Sequence, residues 1–106
     1  MPDISITMGD AGRSFTLNVG DGAVITLEEN LSTGYSWEVA GLPASISVVE
    51  ASHDQPASHM VGATGTKVFR FAAIARGAGQ IVLSLRRPWE PPGAAVRSFA
   101  IRVTVP

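Results

Sequence analysis

The chain has 106 residues, no cysteine, eight Lys and Arg against nine Asp and Glu, and a formal net charge of -1. That length suits one sandwich-sized core and is too short for two, while the lack of cysteine excludes disulfide frameworks, thiolate metal sites and cysteine nucleophiles. So even a charge balance gives no electrostatic pull toward nucleic acid or an anionic membrane, and no apolar stretch approaches the roughly 20 residues of a membrane span.

Met1-Pro2-Asp3-Ile4 runs directly into alternation, without a basic start, an apolar stretch and a small-residue cleavage site. With Met1 as the native start nothing directs export, and the chain is cytoplasmic. A chain that had lost a leader would look the same and be periplasmic or secreted.

Period-two alternation in short segments rich in Val, Ile, Thr and Phe predicts strands at Ile4–Met8, Ser14–Val19, Val24–Glu29, Ser36–Ala40, Ile46–Glu50, Thr66–Ala73, Gln80–Arg86 and Val96–Val105. Gly9-Asp10-Ala11-Gly12, Gly20-Asp21-Gly22, Gly41-Leu42-Pro43 and Arg76-Gly77-Ala78-Gly79 are turn chemistry. Eight short strands in one chain of this size indicate an all-β, immunoglobulin-like antiparallel β-sandwich. Residues 1–106 read as a single domain, without repeat or linker.

The connections are unequal. In an up-and-down arrangement every second one emerges at the same end, which groups Asn30–Tyr35, Ala51–Gly65 and Arg87–Ala95 at one pole and the short generic turns at the other. Sandwich domains that bind proteins commonly use loops clustered at one end.

Each loop admits a plain reading beside a functional one. Asn30–Tyr35 sits where a hairpin turn would suffice, with Gly34 supplying positive φ and Asn30 or Ser32 a local hydrogen bond. Tyr35 and Trp37 share one strand face, which places Trp37 in the core and Tyr35 at its rim. Ala51–Gly65 is the longest irregular stretch, and its glycines at 62 and 65 permit close backbone approach. In Arg87-Pro88-Trp89-Glu90-Pro91-Pro92-Gly93 the prolines stiffen the segment and bar it from a central strand. Trp89 is then either an interface anchor on a rigid arm or a cap folded over the open sandwich end, with Arg87 lying across it.

Other constellations carry less. Ser52-His53-Asp54 has the residue types of a hydrolytic triad, but neighbours in sequence cannot converge as a triad does; they read as loop polarity. His53 and His59 are the only histidines and make a poor zinc site. Gly62-Ala63-Thr64-Gly65-Thr66-Lys67 is too short for a phosphate loop and leads into a strand. Arg86 and Arg87 alone supply little affinity for phosphate. No catalytic apparatus is evident.

Taken together, Asn30-Leu31-Ser32-Thr33-Gly34-Tyr35, Gly62-Ala63-Thr64-Gly65 and Arg87-Pro88-Trp89 resemble, in order and spacing, the three loops of the chagasin-like cysteine-protease inhibitors. Those loops are an Asn-Pro-Thr-Thr-Gly-Tyr loop, a Gly-rich loop and an Arg-Pro-Trp (or Phe) loop on an immunoglobulin-like sandwich. The resemblance spans the chain from the first strand to Val105. It implies a monomeric, cofactor-free, reversible inhibitor of papain-like cysteine proteases, with these thirteen residues as the protease-binding set. Ser32, Thr33 and Gly34 would sit over the catalytic Cys and His, Trp89 beside the cleft, and the middle loop on the other flank. Two positions depart from the pattern. Leu31 stands where proline is usual, a change that frees the unbound loop at a cost of ~0.4–1 kcal/mol, or roughly two- to fivefold in affinity. Thr64 replaces a common glycine. The competing reading is a structural or adhesive sandwich module whose three motifs merely close one end.

Overall fold

A computed structural model describes residues 3–29, 34–54, 65–87, 89–90 and 95–106. All eight predicted strands form: β1 Asp3–Thr7, β2 Ser14–Thr16, β3 Gly22–Glu29, β4 Ser36–Gly41, β5 Ile46–Asp54, β6 Gly65–Ala73, β7 Gly77–Arg86 and β8 Arg97–Val105. They make two four-stranded sheets, in the order β1-β3-β6-β5 and β2-β8-β7-β4.

The alternation dictates the layers. On β3, Ala23, Ile25 and Leu27 point inward and meet Phe69 and Phe71 of β6, while the facing sheet contributes Trp37, Ile81, Leu83, Phe99, Ile101 and Val103. Burying a large apolar side chain contributes about 1.5–3 kcal/mol, so this shared interior supplies the main stabilising term. Trp37 is 2% exposed, and its indole N–H donates to the Glu28 carbonyl at 2.9 Å. That bond joins β4 of one sheet to β3 of the other and satisfies the one polar group the ring carries inward.

The sheet arrangement departs from up-and-down order. β1 pairs with β3, and β2 with β8, in parallel. β3 and β4 lie in different sheets and so do not pair as a hairpin. The grouping of loops survives, because it depends only on strand direction from β3 onward. Glu29 pairs with Gly65 and Asp54 with Thr66 at the end of one sheet. Ser36 pairs with Arg86 and Leu85 with Arg97 at the corresponding end of the other.

A 3-10 turn over Met8–Asp10 follows β1. Asp10 closes it by accepting the Thr7 N–H at 3.0 Å and an Arg13 hydrogen bond at 3.0 Å. The Thr7 N–H is the main reason the Asp10 carboxyl titrates below its ordinary value of 3.8, and Arg13 lowers it further. A depressed folded-state pKa stabilises the fold once the unfolded carboxyl is ionised, and that contribution disappears as pH falls through the lower folded-state value. An NMR titration of the wild-type carboxyl should therefore give a midpoint below that of an unstructured aspartate. Asp10→Asn should lose part of the acid dependence of stability below about pH 4, seen as a flatter urea-midpoint profile.

Candidate functional site

The described parts of the three loops converge at one pole. Gly34 has φ +81°, a left-handed conformation in which a side chain is strained. It also has a neighbour: a Cβ built there would lie 2.8 Å from Cη2 of Trp89 and 3.7 Å from Cγ of Arg87. The backbone angle favours glycine, and the indole edge occupies the space a side chain would take.

Trp89 is 73% exposed. It does not fold back to cap the core. The indole sits in a turn closed by the Glu90 N–H, which donates to the Arg87 carbonyl at 3.0 Å. The Arg87 guanidinium lies 4.5 Å from the Tyr35 ring centroid and 5.9 Å from that of Trp89, so a cation is held against both aromatic rings. Tyr35 is half-buried at the rim while Trp37, two residues on, is enclosed, as the shared strand face requires. Gly34, Tyr35, Arg87 and Trp89 form one surface contributed by the first and third loops.

The middle loop is anchored differently from the sequence reading. β5 continues to Asp54, so Ser52 and His53 are strand residues and not loop polarity. Gly65, assigned to the loop, is the buried first residue of β6, opposite Glu29. A bulge between Val48 and Glu50 reverses the facing of the residues beyond it, and His53 turns inward. There its Nδ1 is hydrogen-bonded to Oε2 of Glu29 at 3.1 Å, with the Glu29 side chain fully buried. Glu29 is the last residue of β3 and His53 the penultimate residue of β5, so this pair ties the base of the first loop to the base of the middle one. A sequence signal for the pair exists: Glu29 succeeds Ile25 and Leu27 in the inward register, where a carboxylate demands a partner.

Asn30, Leu31, Ser32, Thr33, Gly62, Ala63, Thr64 and Pro88 lie outside the described residues, as do His59 and Pro91, Pro92 and Gly93. Among the described residues no group of three or more His, Asp or Glu is placed to hold a metal ion.

The profile described as chagasin family peptidase inhibitor I42 matches residues 16–103. The chain belongs to the chagasin family. Its members are inhibitors, and this chain is not an enzyme. It is 34% identical over 102 residues to amoebiasin-1 of Entamoeba histolytica, covering 96% of this chain and 99% of that protein. The crystal structure of the cysteine protease inhibitor EhICP2 from the same organism superposes with a TM-score of 0.88 at 23% identity, covering 100% of this chain and 97% of the other. PbICP-C, solved in complex with falcipain-2, superposes with a TM-score of 0.72 at 23% identity, covering 97% and 99%. These structural likenesses run the length of the sandwich.

Proposed function

We propose that this chain inhibits papain-like cysteine proteases reversibly by seating its three-loop pole in the active-site cleft. Membership of the chagasin family of peptidase inhibitors supports this activity. Ser32, Thr33 and Gly34 lie over the catalytic Cys and His, with Asn30 and Leu31 leading into the tip. Trp89 packs beside the cleft, with Tyr35, Arg87 and Pro88 supporting it. Gly62, Ala63, Thr64 and Gly65 bring backbone to the opposite flank. The inhibitor acts as a single monomeric domain, without cofactor, nucleic acid or membrane.

The observation that supports this best is Trp89: an indole 73% exposed yet packed against Gly34 and beside the Arg87 guanidinium. An exposed tryptophan already resting against neighbouring groups has less freedom to lose on docking, and tryptophan and arginine are enriched among the residues that dominate interfaces. A structural module closed by its loops would hold that ring inside. PbICP-C, of the same fold, is solved in complex with falcipain-2, which agrees with a protein partner for this chain. Occlusion needs no reaction with the inhibitor.

Steady-state assays against papain and a cathepsin L-like enzyme, with trypsin as control, test the reading. It expects reversible nanomolar inhibition of the cysteine enzymes alone, with the inhibitor recovered uncleaved. Absence of inhibition at tens of micromolar would overturn it.

A further inference from the structure

The two adjacent arginines at the end of β7 do different work. Arg87 stacks on the aromatic surface. Arg86 faces the outer side of its sheet, where Ser36 is its register partner and Glu38 lies diagonally opposite on β4. Its Nε–H donates to the Glu38 carboxylate, and its Nη1–H donates to the Glu90 carbonyl at 2.6 Å. The guanidinium side chain is only 17% exposed, so the Glu38 carboxylate balances a largely buried charge.

β4 and β7 are already joined by backbone pairing at five register positions, and the ion pair is not needed to hold the strands together. The contact that leaves the sheet is the one to Glu90, the residue immediately after Trp89. With its N–H bonded to the Arg87 carbonyl and its C=O to Arg86, Glu90 has both main-chain polar groups engaged. Arg87 holds the Glu90 side chain by an ion pair at 3.9 Å, while Arg86 ties the Glu90 main chain to the sheet as one planar cation reaching both Glu38 and Glu90, a geometry that lysine cannot reproduce.

From this we infer that Arg86, oriented by Glu38, is a positioning residue that holds the Trp89 turn in its binding conformation; the inference rests on the inhibitory reading above. Arg86→Met keeps the apolar stem and removes both polar contacts. It should speed dissociation from papain about tenfold, the size expected for losing a charged hydrogen bond that orders an anchor. Arg86→Lys should recover part of that loss, and Glu38→Gln should have a smaller effect than Arg86→Met. In a Trp89→Ala background the effect of Arg86→Met should largely disappear, because the residue acts through the indole. A readout independent of any protease is ¹⁵N relaxation of the Trp89 indole N–H, which should report greater mobility in Arg86→Met while the Trp37 indole stays rigid. Unchanged indole order would overturn the inference whether or not papain is inhibited. So would a variant that unfolds earlier but keeps the parent dissociation rate, since that describes a merely structural ion pair. Failure of the parent to bind papain would instead count against the inhibitory reading, leaving the relaxation result to decide the role of Arg86.

Discussion

Trp89→Ala is expected to weaken binding to a papain-like protease by about 30-fold or more, ~2 kcal/mol, the usual cost of truncating an interface anchor. Thermal unfolding should stay close to that of the parent. The split comes from where the ring lies. A buried tryptophan removed from a core costs about 3–5 kcal/mol of stability, and Trp37, at 2% exposure, is such a residue. Trp89, at 73%, has little contact area to lose on truncation in the free protein. The loss should appear chiefly in the dissociation rate, because among related complexes most affinity differences are expressed there. A large fall in unfolding temperature with unchanged affinity would make Trp89 a structural cap.

Gly34→Ala should act at the same surface by another route. Its φ of +81° makes any side chain costly, by about 1–2 kcal/mol, and the new methyl would meet Cη2 of Trp89 at 2.8 Å. That atom is the far edge of an exposed ring, so the ring can move. Relief of the clash therefore displaces the anchor, and affinity should fall by about tenfold or more. A double-mutant cycle separates the two costs. In a Trp89→Ala background the affinity effect of Gly34→Ala should shrink to the part due to backbone strain, whereas full additivity would mean that the two residues act independently. Stability measured by urea unfolding should drop similarly in both backgrounds, since strain at Gly34 does not require the indole.

Much of this arrangement is legible in the sequence because period-two alternation and turn chemistry are local properties. The eight strands, the inward Trp37 and the positive φ of Gly34 all arise from such signals. What escapes depends on partners distant in sequence. The parallel pairings of β1 with β3 and of β2 with β8 leave no mark on either strand alone. The bulge in β5 inserts one residue and reverses the facing of His53, which alternation read without the bulge places in a loop. The link from Arg86 to Glu38 and Glu90 needs the register of β4 against β7 before the residues can be seen as neighbours. At the pole the motif order singles out the three loops, and the geometry adds why two of them act together: Arg87 and Trp89 of one loop rest on Tyr35 and Gly34 of the other.

In the proposed complex this pole covers the protease active site. The most direct test is the rate at which a small epoxide reagent alkylates the catalytic cysteine of papain in the presence of saturating inhibitor. Occlusion predicts strong protection that weakens in Trp89→Ala in proportion to its lost affinity. Alkylation at the rate of free papain, with the complex demonstrably formed, would place the contact elsewhere on the enzyme and contradict the account.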